Sequence, residues 1–191
     1  MIRALRGKDP RVRLVRLARN AGLSAAFDAG LRRARGRIIV TMNGDLQNDP
    51  RDIPALVRHL DSADAATGWR ANRRDTWLKR VSSRSANGIR NGATGETIRD
   101  SACSLRAMRR RRVRDLELYR GLHRFVPTLL RMAGYRVIEV PVNDRPRRFG
   151  TSHFGIRNRA WPALQDFLVV RWMLRNRLRY QVEEGDKLGD D

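Results

Sequence analysis

The run Arg37–Met42 (RIIVTM) most constrains what this chain can fold into. Consecutive β-branched residues followed directly by a polar cluster are typical of a strand buried inside a sheet. Arg11–Leu17 has a similar β-branched and aliphatic character, and a helical pattern, Ser24–Arg35, lies between the two runs. Ser24 is predicted to be the N-cap of that helix, and Gly36 its stop. Strand, helix and strand at this spacing predict a parallel βαβ unit with a right-handed crossover.

The alternation continues along the rest of the chain. Helices are predicted at Asp52–Leu60, Thr76–Arg90, Phe125–Ala133 and Trp161–Tyr180, strands at Asp64–Gly68, Cys103–Met108 and Arg136–Val140, and a basic loop at Asn143–Gly155. Alternating strands and helices favour an α/β fold. We divide the chain into a main domain at residues 1–160, an amphipathic helix at 161–182 and an acidic tail at 183–191.

The chain is strongly basic. Its 191 residues include 41 Lys plus Arg against 20 Asp plus Glu, a formal net charge of +21, and only three of the basic residues are lysines. Proteins selected for bulk phosphate contact usually mix Lys with Arg, and here the basic residues are spread along the chain apart from Arg109–Arg112. Nucleic acid is therefore a disfavoured partner, whereas an anionic ligand or an anionic membrane surface fits the same charge.

Cysteine content and hydropathy exclude several classes of protein. Cys103 is the only cysteine, which excludes a disulfide framework and every multi-cysteine zinc site and makes a reducing, cytoplasmic location the default. The longest uninterrupted apolar run is Phe167–Val170, far below the ~18 residues that a membrane span requires. No stretch of the sequence is expected to cross a bilayer unaided, and Met1–Arg6 is not followed by an apolar region of signal-peptide length.

The polar cluster behind Arg37–Met42 is the densest set of oxygen ligands in the sequence. In an open parallel sheet, ligands bind beyond the carboxyl ends of the strands. Asn43, Asp45 and Gln47 alternate at such a place, and a few hard oxygens with open positions suit Mg²⁺ or Mn²⁺ bound to a diphosphate. The alternative is a turn followed by a helix cap made by Asp49 or Asp52.

The basic loop Asn143–Gly155 has the composition of a phosphate clamp. Arg147 offers a bidentate guanidinium for phosphate oxygens, Gly150 permits backbone mobility, and Ser152 is a further donor.

Ordered motifs along nearly the whole chain resemble family 2 glycosyltransferases, in the branch similar to dolichyl-phosphate mannosyltransferase that acts on polyprenyl phosphates. The matching stretches are Arg19–Asn20, Ala25–Gly30, Ala34–Gly36, Ile38–Met42, Asp45–Pro50, Ile53–Pro54, Gly68–Arg70, Trp77–Arg80, Ile98–Asp100, Cys103–Leu105, His123–Phe125, Val140–Val142, Arg145–Arg147, Gly150, Ser152 and Gly155. The resemblance implies a Rossmann-like GT-A fold with a mostly parallel sheet flanked by helices. It also implies metal-dependent, inverting transfer of a hexose from a nucleotide-diphosphate sugar to a dolichyl or undecaprenyl phosphate.

The resemblance assigns the metal and catalytic residues. The family's Asp-x-Asp with a following Gln falls on Asn43, Asp45 and Gln47, which implies Mg²⁺ or Mn²⁺ on the donor diphosphate. Because Asn43 replaces a carboxylate by an amide, we expect weaker metal affinity. Asp100 matches the family's acidic residue near the acceptor, so Asp45 and Asp100 are the predicted catalytic residues. The alternative for Asp100 is a salt bridge to a neighbouring arginine.

The resemblance also assigns phosphate contacts. The predicted donor-phosphate residues are Arg147, Ser152 and Arg70. The predicted acceptor-phosphate residues are Arg80, Ser83 and Arg84, and Arg70 is a candidate for the acceptor phosphate as well. For Arg70, Arg80, Ser83 and Arg84 a solvated helix face is the alternative. His123 and Arg124 contact donor or acceptor on this reading, whereas a lone histidine is more often structural.

The last predicted helix, Trp161–Tyr180, combines aromatic residues with arginines, as in helices that rest on an anionic leaflet. This predicts an enzyme peripheral to the cytoplasmic, inner face of the membrane. Packing of this helix on the sheet or on a second copy of the chain is the alternative.

The family's first strands are expected to be missing here. The nucleotide-base strand and the Asp-Asp-Gly-Ser-type motif have no counterpart, and Met1–Gly7 resembles the end of the helix that follows them. Orphaned strand edges and apolar faces should destabilise the remainder. A truncated, noncatalytic remnant that binds lipid or nucleic-acid phosphate through its arginines is therefore the alternative function.

Overall fold

The computed structural model describes residues 2–71, 98–114, 116–146 and 157–177, the last range with backbone only at 157–164. Its centre is a four-stranded sheet in the order β1-β3-β2-β4. The strands are β1 (Ile38–Thr41), β2 (Ala65–Arg70), β3 (Arg106–Arg109) and β4 (Val137–Val142). The four strands agree with those predicted from β-branched and apolar runs at 37–42, 64–68, 103–108 and 136–140.

The strand directions bring three carboxyl ends to one edge of the sheet. Strand β3 is antiparallel to both β1 and β2, and β2 is parallel to β4. Strands β1, β2 and β4 therefore run in the same direction, and β3 alone is reversed between its neighbours. The sheet is mixed, not a run of parallel pairs, because only one of the three pairings is parallel. The α/β class with flanking helices is confirmed.

Six α-helices lie in the described part of the chain: α1 (Ile2–Lys8), α2 (Gly22–Arg33), α3 (Ile53–Arg58), α4 (Arg110–Val113), α5 (Val126–Met132) and α6 (Arg157–Arg175). Helix α3 lies between two 3₁₀ turns, Pro50–Asp52 and His59–Asp61, so the helix predicted at 52–60 is present in three pieces. Proline in the first turn of α3 and of α5 agrees with their start points, since that position needs no backbone donor. The helix predicted at 76–90 lies outside the described residues.

The strand predicted at Arg11–Leu17 is wrong, and with it the parallel βαβ unit. A strand is stable only when neighbouring strands pair with it, and in the described residues this segment joins no ladder. Strand β1, at the edge of the sheet, pairs there only with β3. Ser24 is also not the N-cap, because α2 begins at Gly22 and Ser24 lies inside it with its side chain buried.

Each face of the sheet buries its own apolar cluster. One cluster joins the sheet to α2, α4 and α5 and contains Leu31, Ile39, Ala65, Met108, Val113, Val126, Leu130 and Val137. The other joins it to α3 and contains Leu56, Leu60, Ala66, Cys103, Leu105, Ala107, Val140 and Val142. Neighbours Ala65 and Ala66 fall in different clusters, as expected when successive side chains alternate between faces. Cys103 is a core residue, as predicted.

The edge opposite the three carboxyl ends is held by the ion pair between Asp64 and Arg112. Asp64, just before β2, accepts from Arg112 Nε over 2.8 Å and from the Arg136 amide over 3.1 Å. The Arg112 guanidinium also lies 4.5 Å from the centre of the Tyr135 ring. Asp64 thus stabilises the sheet at a distance from the loops that follow β1, β2 and β4.

Helix α6 packs against the domain through one side. Val170 is fully buried in a cluster with Leu122, Phe125 and Leu129. Among the described residues, no helix has the length and apolar content needed to cross a bilayer.

Candidate active site

Four segments with polar residues meet at the edge where β1, β2 and β4 end. They are the loop 42–49 after β1, Arg70 at the end of β2, the turn 98–105 before β3, and the segment 143–146 after β4. The reversed direction of β3 adds the turn, since the amino end of β3 lies at this same edge. The described chain therefore places these four segments together.

The loop after β1 is held by its own side chains and by the turn before β3. Asp45 Oδ1 accepts from the Gln47 amide over 3.2 Å, which is the geometry of an Asx turn. Leu46, between them, has φ of 63°, a left-handed conformation at a non-glycine residue. Thr41 Oγ1 donates to the carbonyl of Ser104 over 2.7 Å, which fixes the start of the loop. The same loop thus combines turn chemistry with side-chain oxygens, those of Asn43 exposed and those of Asp45 and Gln47 half-buried.

The oxygens of this loop fit a divalent ion that keeps substrate ligands. Asp45 supplies one carboxylate, and Asn43 and Gln47 supply amide oxygens. Mg²⁺ is usually held by one or two carboxylates together with substrate phosphates, not by an all-protein cage. Among the described residues, no group of three His, Cys, Asp or Glu side chains could hold a metal.

The alternative reading of this loop as a cap is also observed. Asp49 Oδ1 accepts from the Arg51 amide over 3.0 Å and so caps the 3₁₀ turn that precedes α3. Asp52 makes no cap bond and instead accepts from the backbone and side chain of Asn143.

Asp100 and Arg70, two predicted site residues, form a buried ion pair. Arg70 Nε donates to Asp100 Oδ2 over 2.7 Å, and Arg70 Nη2 donates to Oδ1 over 3.0 Å. The Arg70 amide and the Ala102 amide also donate to this carboxylate, over 3.3 and 3.2 Å. Burial alone would lower the pKa of Arg70, but the hydrogen bonds and charge of Asp100 outweigh it and raise that pKa. The salt-bridge alternative for Asp100 is thus present, and its catalytic role remains a prediction.

Glycine is required beside this pair. A Cβ on Gly68 would lie 2.9 Å from a Val142 methyl and 3.0 Å from Cys103 Sγ. The motif Gly68–Arg70 therefore lets β2 approach both the turn and β4 closely. Arg70, at the end of this motif, is thereby held next to Asp100 in the turn before β3.

Sequence reasoning missed Arg106, whose side chain hydrogen-bonds to the turn that contains Asp100. It is 4% exposed and donates to the carbonyl oxygens of Ser101 and His123, over 3.3 and 2.9 Å. A charged residue inside the mostly apolar run CSLRAM was the available signal, because a buried guanidinium requires acceptors.

His123 has a structural environment. Its Nδ1 lies 2.7 Å from Ser24 Oγ, and that hydroxyl also accepts from the Gly121 amide over 2.9 Å. Burial, and then the charges of Arg124 and Arg106, lower the pKa of His123 to about 4. The ring is therefore neutral at neutral pH and shares a hydrogen bond with the Ser24 hydroxyl.

Arg124 connects this region to α6. Its Nη2 donates to Asp166 Oδ2 over 2.6 Å. Gly121 has φ of +86°, and a Cβ there would lie 2.2 Å from Asp166 Oδ1. Close packing around a glycine thus fixes α6 beside the 3₁₀ turn Leu122–Phe125.

Several predicted site residues fall outside the described residues: Arg80, Ser83, Arg84, Arg147 and Ser152.

The chain matches the family model described as Glycosyl transferase family 2 over residues 1–117. It belongs to glycosyltransferase family 2. The resemblance predicted from the motifs is therefore confirmed, and the loop with Asp45 and the turn with Asp100 both lie inside the matched range.

Two relatives align over most of the chain. A dodecaprenyl-phosphate galacturonate synthase of Rhizobium johnstonii is 38% identical over 173 residues, which cover 88% of this chain and 51% of the relative. An undecaprenyl-phosphate 4-deoxy-4-formamido-L-arabinose transferase of Edwardsiella ictaluri is 35% identical over 147 residues, which cover 76% of this chain and 45% of the relative. The chain thus spans about half the length of these relatives. Both names combine a polyprenyl phosphate with a sugar, in agreement with the predicted branch.

A solved structure supports the family assignment at the level of the fold. Glucosyl-3-phosphoglycerate synthase from Mycobacterium tuberculosis, in complex with phosphoglyceric acid, is similar with a TM-score of 0.57 at 15% identity. The similarity covers 86% of this chain and 57% of that chain. That protein is a GT-A glycosyltransferase, so the predicted GT-A fold is confirmed.

Proposed function

We propose that this family 2 chain carries the catalytic edge of an inverting enzyme that transfers a hexose from a nucleotide-diphosphate sugar to a polyprenyl phosphate. The observation that carries the proposal is the meeting of the Asp45 loop with the buried Asp100–Arg70 pair at the edge where three strands end. The two relatives share a polyprenyl phosphate in their names and differ in the sugar, so the acceptor class has the stronger support.

On the donor side, Asn43, Asp45 and Gln47 would hold Mg²⁺ or Mn²⁺. A bound ion would supply positive charge to the diphosphate of the donor, which is the leaving group together with the nucleotide. Arg147 and Ser152, predicted from the sequence, add donors for the same phosphate oxygens. The amide at Asn43 makes the metal affinity weaker than two carboxylates would, since it removes one negative charge.

On the acceptor side, little proton transfer is needed. A polyprenyl phosphate oxygen is already anionic, so it attacks the anomeric carbon directly, forms the new bond and displaces the diphosphate from the opposite face with inversion. The side chain of Asp100 holds the guanidinium of Arg70 by its fork, which keeps a positive charge beside the attacking phosphate. Arg80, Ser83 and Arg84 are the further acceptor-phosphate residues of the proposal.

Helix α6 brings the enzyme to its lipid. Opposite buried Val170, its surface exposes Leu168, Val169 and Trp172, with Trp172 65% exposed. Exposed arginines follow at Arg175 and Arg177. An apolar stripe beside arginines suits the boundary between acyl chains and anionic headgroups. The proposal therefore places the protein peripherally on the inner, cytoplasmic face of the membrane, and a second copy of the chain is the competing occupant of this surface.

Transfer is tested with the purified protein, undecaprenyl phosphate in anionic vesicles, Mn²⁺ and a panel of nucleotide-diphosphate sugars. We expect a glycosylated lipid phosphate by mass spectrometry, its loss with EDTA, and an anomeric configuration opposite to that of the donor by NMR. Asp64→Asn is the matched control, because Asp64 stabilises the opposite edge of the sheet. Vesicle binding without product from any donor would favour a noncatalytic lipid-binding remnant.

A further inference from the structure

The side chain of Asn48 joins three segments of the candidate site. It is 6% exposed, and its Oδ1 accepts from the Asn43 amide over 3.2 Å and from Ser104 Oγ over 2.9 Å. Its backbone forms an antiparallel bridge with Asp144. Asn48 thus contacts the start of its own loop, the turn that contains Asp100, and the segment after β4.

The segment after β4 is held to the same loop by further bonds. The Arg145 amide donates to the carbonyl of Gln47 over 2.9 Å, and the Arg145 guanidinium pairs with Asp49. The Asn143 amide donates to Asp52 Oδ2 over 2.7 Å, and Asn143 Nδ2 donates to Oδ1 over 2.9 Å. Together with the Asn48 contacts, these bonds form what we call the clasp.

A buried amide suits this place because both of its partners are donors. An amide oxygen accepts from the backbone and from a hydroxyl without adding charge next to Asp49 and Asp45. Removal of this oxygen would take the acceptor from the Asn43 amide and from the Ser104 hydroxyl, two part-buried donors that the oxygen holds together.

We propose that Asn48 is a positioning residue that sets the loop with Asn43, Asp45 and Gln47 relative to the Asp100 turn and the segment leading to Arg147. The inference rests on the proposed function, since it assigns to Asn48 the geometry that donor binding requires. It acts through the backbone of Asn43 and through Ser104, and it does not itself contact the sugar.

Three substitutions separate positioning from general stability. Asn48→Ala removes the acceptor, and Asn48→Asp keeps an oxygen for both donors. Asp64→Asn is the control, since it weakens an ion pair at the opposite edge of the sheet and leaves the clasp intact. If Asn48→Ala does not fold, Ser104→Ala removes one donor and leaves the amide in place.

The first readout is amide hydrogen exchange at Asn43 and Arg145, which needs no substrate. We expect Asn48→Ala to accelerate exchange at both amides by roughly tenfold or more, Ser104→Ala to do so less at Asn43, and Asn48→Asp and Asp64→Asn to leave both protected. Protection of both amides in Asn48→Ala, or in Ser104→Ala if the first does not fold, would overturn the proposal.

The second readout is the donor KM in the transfer assay with Mn²⁺. We expect a rise of roughly tenfold in Asn48→Ala, a smaller rise in Asn48→Asp, which keeps the acceptor but adds a charge next to Asp49, and no rise in Asp64→Asn. Equal rises of the donor KM in Asn48→Ala and Asp64→Asn would show that Asn48 only stabilises the fold and would overturn its positioning role. If the wild type transfers no sugar while the exchange pattern holds, the proposed function fails and the clasp remains.

Discussion

The guanidinium of Arg70 donates to both carboxylate oxygens of Asp100, and Asp100 is 4% exposed. The two residues lie 30 positions apart in the sequence, at the end of β2 and in the turn before β3. Arg70 and Asp100 therefore neutralise each other's charge. Removing either side chain is expected to leave the other charge without this partner.

A double-mutant cycle tests this pair. Asp100→Ala should destabilise the fold by roughly 3 to 5 kcal/mol, because it leaves a buried guanidinium without its carboxylate. Arg70→Met combined with Asp100→Ala should cost less than the sum of the two single changes. Urea denaturation of the four proteins gives the coupling energy, and additive effects would contradict the pairing.

The loop after β1 should respond unequally to two changes. Asp45→Ala is expected to abolish transfer, since it removes the only carboxylate among the three proposed metal ligands. Asn43→Asp should preserve activity and lower the Mn²⁺ concentration at half-maximal rate, because it adds a second carboxylate. Rates measured across a Mn²⁺ titration check both, and wild-type activity in Asp45→Ala would refute the assignment.

The basic loop offers neighbouring positions for a matched comparison. Arg147→Lys should lower kcat/KM, with a loss of transition-state stabilisation of roughly 2 to 4 kcal/mol. The reason is that a point charge does not reproduce a bidentate fork on phosphate. Arg148→Lys is the control and should be tolerated. If transfer assays show both changes to be silent, the phosphate contact must lie elsewhere.

His123 should make stability fall in mildly acidic solution. Its pKa is lowered to about 4 in the folded protein, against 6.5 in the unfolded chain. Below pH 6.5 the unfolded state binds a proton that the folded state refuses, so stability is lost as pH falls from 6.5 to 4, by up to about 3 kcal/mol. His123→Asn should flatten this part of the stability curve measured by urea denaturation.

The exposed surface of α6 should bind anionic vesicles. Replacing Leu168 and Trp172 together by Ala should weaken sedimentation with phosphatidylglycerol vesicles and leave the melting temperature nearly unchanged, because both side chains are more than half exposed. Val170→Ala, on the buried side, should lower the melting temperature. A wild type that dimerises in ultracentrifugation, with dimerisation lost in the double variant, would assign this surface to a second copy.

Local sequence predicted most of the elements because their signals are local. The β-branched run of β1 and the apolar spacing of α3 appear directly in the residue order. The antiparallel direction of β3 could not be predicted from its residues, because the direction of pairing is set by the neighbouring strands in the folded protein. For Arg11–Leu17 the composition suits a strand, but composition does not supply a neighbouring strand to pair with.

The candidate site was predicted only in part for a similar reason. Asp45, Asp100 and Arg70 stand in recognisable motifs. Asn48 does not stand out, because an asparagine before Asp-Pro is ordinary turn chemistry, and its acceptor role depends on Ser104 being brought beside it. Sequence spacing indicates which residues are available but not which backbone amide each one will meet.

The ion pair between Asp49 and Arg145 spans 96 positions of the chain, from 49 to 145. During synthesis the loop after β1 emerges from the ribosome long before the strand whose end it must contact. In a nascent chain, the loop after β1 therefore lacks the clasp until β4 has been synthesised and has paired with β2. We conclude that this edge of the molecule is completed late. Chains that end before β4 are expected to lack the contacts that join the loop after β1 to the segment after β4.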